Sequence, residues 1–202
     1  MQHLNSFDQN YFNRWYHHKS QRVSTLAATR RKARLALSIA EYYLDRPVCS
    51  VLDIGCGEGQ WQPILKKLNR SIHYTGLDPS PYVIKKFGKQ RNLIQGQFTE
   101  LKKLPLDKSY DLIICSDLLY YIPEPDLKQG LQWIMKHLQG VAFLEAYSST
   151  EPLEGDTQGM LPRSVKDYQR LFRQSEFISC GSHCYVNHHL AHRVTALERG
   201  NS

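Results

Sequence analysis

Apolar positions along the chain keep two different periods, and the change from one to the other marks out the fold. Near the start, Phe7, Tyr11, Phe12, Trp15 and Tyr16 recur at helical spacing within residues 7–20. A second helical stripe, Leu26, Ala33, Leu37, Ala40 and Leu44, runs through residues 24–45; it opens at Ser24 or Thr25 and is stopped by Arg46-Pro47. From position 50 onward, short apolar runs alternate with amphipathic stretches. The spacing predicts strands at 50–54, 72–78, 92–95, 110–116 and 140–147, with helices at 59–68, 80–88 and 124–138. Pro123 and Pro125 suit the start of the last of these helices, and Gly130 weakens its centre. Residues 148–163 mix Gly, Pro and acids and read as a loop. A helix at 164–173 and strands at 177–186 and 192–198 follow. Those two strands stand too close in sequence for a parallel crossover and must pair antiparallel. Strand and helix in repeated alternation imply an α/β, doubly wound, mostly parallel sheet that ends in an antiparallel hairpin.

The chemistry concentrates in Val51-Leu-Asp-Ile-Gly-Cys-Gly-Glu-Gly59. A strand here runs into a turn with glycines at 55, 57 and 59, which admit positive φ and leave the backbone open to a close ligand. Nineteen residues after Gly59 the second strand ends at Asp78, followed by Pro79. An acid at that strand end is placed to receive the hydroxyls of a nucleotide ribose. A dinucleotide loop has its third glycine three residues after the second, whereas here the spacing is G-x-G-x-G behind Asp53. The pattern Asp53, Gly55, Cys56, Gly57, Gly59 with Asp78 resembles the class I S-adenosylmethionine (SAM)-dependent methyltransferases. The resemblance implies their Rossmann-like fold and SAM as cofactor, with S-adenosylhomocysteine (SAH) as product. It also implies that Gln97 and Phe98 take the place of the family's adenine-flanking Gly-Asp and its neighbour. Gln97 stands where the family usually has an acid.

Tyr110-Asp-Leu-Ile-Ile-Cys-Ser-Asp117 resembles the family's fourth strand, and Ser116 and Asp117 come to the carboxyl end of the sheet, where ligands of open α/β sheets lie. Asp117 and Tyr120 are the candidate general bases, and Asp117 is equally suited to the cofactor's amino group. The Asn/Asp-Pro-Pro-aromatic motif of amino-methylating enzymes and a Pro-Cys nucleophile are both missing, which counts against the best-known nucleic-acid classes. Tyr11-Phe12-x-Arg14-x-Tyr16 and Arg22-Val23 resemble a subgroup of small bacterial methyltransferases. By that resemblance residues 1–46 form an N-terminal helical lid on a SAM-binding domain at 47–202, with Tyr11, Arg14, Trp15 and Arg22 as the lid residues facing an acceptor.

Composition adds three constraints. Of the net charge of +7, six units fall in residues 1–35, where seven Lys and Arg face Asp8 alone. That basic segment suits an anionic acceptor or, in a second reading, the phosphates of an RNA. Five scattered cysteines without CxxC pairing point to reduced thiols in a cytoplasmic protein. No apolar run reaches a membrane span or forms a secretion signal. His183, Cys184, His188, His189 and His192 straddle the expected hairpin, where alternate residues face opposite sides, so no metal site is expected. The functional expectation is therefore methyl transfer from SAM to a small-molecule acceptor, anionic or carrier-bound. RNA methylation and a non-catalytic SAM-binding module are the alternatives.

Overall fold

A computed structural model describes residues 7–22, 24–152 and 156–196. Seven strands form one sheet: β1 (Ser50–Ile54), β2 (His73–Asp78), β3 (Leu93–Gln95), β4 (Tyr110–Ser116), β5 (Leu138–Glu145), β6 (Ile178–Ser179) and β7 (Cys184–Val186). The spatial order is β3-β2-β1-β4-β5-β7-β6. The first five strands are parallel, while β7 pairs antiparallel with β5 and with β6. Strand order reverses between β1 and β4, which opens a crevice at their carboxyl ends.

Side-chain alternation sorts two cores onto the two faces of the sheet. Val51, Leu112, Ile114, Val141 and Phe143 pack on one side with α2 (Leu26–Leu44), α3 (Trp61–Leu68) and α4 (Pro81–Arg91). Leu52, Ile113, Cys115, Ala142 and Leu144 pack on the other with α5 (Glu124–His137) and α6 (Val165–Gln174). In α2 the buried stripe is Thr29, Ala33, Ala36, Leu37, Ala40 and Tyr43, and Thr25 caps its first turn. Small residues dominate that stripe, so the helix lies close against the sheet. Leu26, expected in the stripe, is half exposed at 50%.

Three elements differ from the pattern-based expectation. The stretch at 7–20 is not one helix: α1 (Gln9–Phe12) continues as a single wide turn at Asn13–His17. The terminal hairpin lies wholly inside the strand expected at 177–186, turning through Gly181 with Ser182 and His183 also at positive φ. A 3-10 turn at His188–Arg193, capped by Asn187, stands where the second hairpin strand was expected to begin, and positions 197–198 lie outside the described residues. Gly130 is no weakness, because a Cβ there would meet the Phe98 ring at 2.0 Å. It is the notch in α5 that admits Phe98 to the core.

Asp111 fixes the base of the sheet at the opposite end from the crevice. It accepts two bonds from Arg46 (2.6 and 3.1 Å) and one each from the amides of Cys49 (2.7 Å) and Ser50 (3.2 Å). These bonds hold its carboxyl below the usual range against the opposing effect of burial. Asp111→Ala leaves two amides and a guanidinium without their acceptor and should cost about 2–4 kcal/mol by urea unfolding at pH 7. Because the folded pKa is depressed, this stabilisation exists above the unfolded value of about 3.9 and is lost as pH falls below it. The gap between variant and wild type should therefore close at low pH.

Candidate active site

The crevice at the switch point is lined from β1 by Asp53, from the following loop by Gly55, Cys56, Gln60 and Trp61, and from the end of β4 by Ser116 and Asp117. Tyr120 and Tyr121 come from the turn after β4, Asp156 from the long loop, and Thr29 and Lys32 from α2. Tyr11, Trp15 and Tyr16 close it from the N-terminal segment.

At one end the glycine loop is pinned to β2. The amides of Gly55 and Cys56 donate to the Leu77 carbonyl at 2.8 and 3.0 Å. The Gly57 amide donates to Asp78 Oδ2 at 2.9 Å, and the Ser80 amide to Asp78 Oδ1 at 2.9 Å. Gly55, Gly57 and Gly59 all take positive φ. Asp78 is 6% exposed, and burial pushes its carboxyl up to about 6 despite those two amides. Asp53 accepts from the Tyr74 hydroxyl at 2.6 Å, and burial raises it to about 7.

The N-terminal segment clasps this loop. Ser80 Oγ donates to the Phe7 carbonyl (2.6 Å), Phe12 stacks on Tyr82, and His17 Nε2 lies 3.0 Å from Glu58 Oε1. A Cβ on Gly57 would meet the Tyr16 hydroxyl at 2.1 Å, so the absent side chain makes room for a phenol of the protein itself.

At the other end Asp117 has φ +57, a left-handed backbone that aspartate tolerates better than most residues. Burial first, and then the charge of Glu145, raise its carboxyl. Glu145, 2% exposed, accepts from Lys32 Nζ (2.7 Å), from the Tyr147 hydroxyl (2.8 Å) and from Ser116 Oγ. Its own carboxyl is held below the ordinary value, with the bonds from Lys32 and Ser116 outweighing burial. Tyr121 donates to the Asp156 carbonyl. Arg163, buried in the long loop, donates to the carbonyls of Leu119 and Ile122 and so clamps the turn that presents Tyr120 and Tyr121.

Of the residues singled out in the sequence, Asp53, Gly55, Cys56, Ser116, Asp117, Tyr120, Tyr11 and Trp15 line the cleft, while Gly57, Gly59 and Asp78 lie in the adjoining glycine loop and strand end, outside the lining. Pro79 links Asp78 to the N-cap residue of α4 and accepts from Gln95 through its carbonyl. Gln97 caps the turn at Phe98–Glu100, and Phe98 is buried in the core beneath Gly130; neither lines the cleft. Arg14 and Arg22 are exposed and outside the lining, with Arg14 stacked on Trp15. Val23 lies outside the described residues. Sequence reading passed over Lys32, Glu145 and Arg163 as site residues. The only signal for the first two was a lysine on a helix face and an acid closing a buried strand. Among the described residues no group of His, Cys, Asp and Glu is arranged to hold a metal ion.

Residues 5–196 match the model of a methyltransferase-domain family. Solved structures of similar fold include a SAM-dependent methyltransferase from Archaeoglobus fulgidus (20% identity, 76% of this chain and 70% of that one, TM-score 0.57). The plantazolicin methyltransferase BpumL, crystallised in complex with SAH, shares 19% identity over 84% of this chain and 68% of its own, with TM-score 0.62. DesVI of Streptomyces venezuelae shares 15% identity over 80% and 91%, with TM-score 0.59. At these identities the likeness is one of fold. A sequence comparison with curated proteins finds no match.

Lys32 and Glu145 form the one charge pair inside the cleft wall among the described residues. Lys32→Met strands a buried carboxylate and should cost about 2–3 kcal/mol, somewhat less than a fully buried pair because the lysine is partly exposed. Adding Glu145→Gln should recover most of that loss. Denaturant unfolding of the two single variants and the double variant reads the coupling directly.

Proposed function

Since the chain belongs to the methyltransferase-domain family, we infer that it moves a methyl group from SAM to a small molecule bound in the crevice between β1 and β4. The observation that carries this reading is the bridge from buried Asp78 to the Gly57 amide, at the carboxyl ends of β1 and β2 and beside the cleft. The residues present suit the cofactor. Asp78 keeps acceptor capacity beyond its two amides for the two ribose hydroxyls. Asp53, Gly55, Cys56 and Ser116 face the space where the methionine end would lie. When bound, SAM supplies an activated methyl on a positively charged sulfur, so the protein's main task is alignment. Trp61 and Tyr16 limit water there, and Asp117 and Tyr120 stand within the same cleft as candidate acceptors of a substrate proton.

The RNA reading has one supporting observation: Arg30, Arg31 and Arg34 are all exposed on α2. It requires binding to a single-stranded oligonucleotide that weakens steeply with salt. The small-molecule reading is preferred because Tyr11, Trp15, Tyr120 and Tyr121 line the cleft, while the arginines of α2 are outside the lining.

Of the 1–46 segment read as a lid, residues 7–22 are the part proposed to move. Tyr16 rests against the cofactor loop, so entry of SAM requires the segment to shift and re-close. Trypsin should cut after Lys19 and Arg22, both exposed, more slowly once SAH is bound. Equal cleavage with and without SAH makes the segment static packing.

Asp78→Ala should weaken SAH by roughly 1.5–3 kcal/mol, a loss of about 10- to 150-fold in calorimetry. Asp78→Asn keeps the shape and removes the charge. In the wild type the ionised carboxylate is the form that accepts the ribose hydroxyls. Its pKa in the unliganded protein is raised to about 6. Affinity should therefore be full above that pH and fall by up to about tenfold per unit below it. Asp53 titrates nearby at about 7, so the part of the dependence lost in Asp78→Asn is the part due to Asp78. A wild-type profile identical to that of Asp78→Asn removes the ribose assignment.

A further inference from the structure

The geometry points to a protonated amine as the acceptor, held by Asp117 and Asp156 inside a box of Tyr11, Trp15, Tyr120 and Tyr121. This rests on the methyl-transfer reading above and names the acceptor class for the same cleft.

Three observations carry it. The first is charge. The lining holds the carboxyl groups of Asp53, Asp117 and Asp156, and Lys32 is the only Lys or Arg among the described lining residues. Lys32 is already spent, at 2.7 Å from buried Glu145. A carboxylate or phosphate ligand would therefore meet these acids with no uncommitted Lys or Arg in the described lining, since Arg14 is stacked on Trp15 from outside it, whereas an ammonium meets acceptors. Arg14 and Arg22, the natural anchors for an anion, are exposed and outside the lining.

The second is an unfilled acceptor. Asp117 has a single hydrogen-bond contact among the described residues, to Ser116 Oγ at the long distance of 3.5 Å, and that same hydroxyl also faces Glu145. A half-buried carboxylate so poorly partnered in the lining of a cleft has room for a donor from outside the chain. An ammonium brings three N–H donors and no acceptor.

The third is the wall. Four aromatic rings converge on the cleft, and ring faces attract a desolvated cation. Burial and the neighbouring carboxylates push the phenols of Tyr11, Tyr120 and Tyr121 up, with Tyr121 at about 12, so they stay neutral and can donate. Arg163 holds the Tyr120–Tyr121 turn in place through the carbonyls of Leu119 and Ile122. That support keeps two walls of the box on a fixed frame.

The chemistry balances. The bound ammonium gives one proton to Asp117, which passes it to water. The neutral amine nitrogen then forms the N–CH3 bond while the C–S bond of the sulfonium breaks, its electron pair staying on sulfur. The products are a methylated ammonium and SAH. The carboxylates that held the substrate also hold the charge of the product.

Calorimetry with three probes of matched size tests this: phenethylamine, phenethyl alcohol and 3-phenylpropanoate, each titrated at pH 7.5 into protein saturated with SAH. Phenethylamine should bind at least about tenfold more tightly than the carboxylate, with the alcohol between them. Asp117→Asn, which tolerates the left-handed backbone, and Asp156→Asn should each shrink the amine-to-carboxylate ratio severalfold. Should either variant unfold, the wild-type ratio alone decides. A carboxylate bound as tightly as the amine, no binding of any probe, or a ratio unchanged in Asp117→Asn Asp156→Asn overturns the proposal. Protein that prefers phenethylamine but takes up no SAH leaves the amine site standing and refutes the cofactor reading instead.

Discussion

The carboxylate of Asp78, shared between the amides of Gly57 and Ser80, is the interaction on which the site depends. β1 and β2 are hydrogen-bonded along their length, but their ends diverge into a glycine loop and into α4. One side chain closes that divergence by bonding to the loop on one side and to the N-cap residue of α4 on the other. Without it the Gly57 amide would lose its acceptor, and the loop would be tied to β2 only through the Gly55 and Cys56 amides on the Leu77 carbonyl. The cost is a buried carboxyl, which is why it sits at about 6. A ligand that brought hydroxyl donors to the same carboxylate would relieve that cost.

The cleft has a second electrostatic organisation at its far end. Helix α2 contributes a lysine, β5 a glutamate, and the two neutralise one another within the wall. Ser116 and Tyr147 complete the coordination of Glu145. Asp117, one residue beyond Ser116, lines the cleft with a single long hydrogen bond among the described residues, from Ser116 Oγ at 3.5 Å. On the proposed reading the glycine-loop end would receive the nucleoside and the acidic, aromatic end the methyl acceptor.

Both ends are covered by chain from far away in sequence. The segment at 7–17 reaches over the glycine loop through Phe7, Phe12, Tyr16 and His17. The loop after β5 returns Asp156 to Tyr121 and Arg163 to the turn at Leu119–Tyr121. A parallel sheet leaves its carboxyl ends bare, and these two loosely patterned stretches supply the roof that the sheet cannot.

Local sequence determined the sheet strands, the helices between them and the glycine loop with its acid, because each depends on a period or a spacing carried within a few residues: alternation at Leu112–Cys115, the stripe of α2, positive φ at Gly55, Gly57 and Gly59. Those features also carried the resemblance that named the family. Roles set by partners distant in the chain were decided by tertiary structure alone. Gly130 reads as a weak point in a helix until Phe98 is seen filling its place. The six excess positive charges of residues 1–35 read as an anion site, yet the lysine among them that reaches the cleft, Lys32, is bound to a carboxylate 113 residues away. A hairpin was legible from the short separation of its strands, but its position turned on left-handed residues at Gly181, Ser182 and His183, a backbone state that composition only weakly encodes. Periodicity reports which face of an element is buried. What that face meets, and therefore which charges remain free to act on a ligand, is settled only when the elements come together.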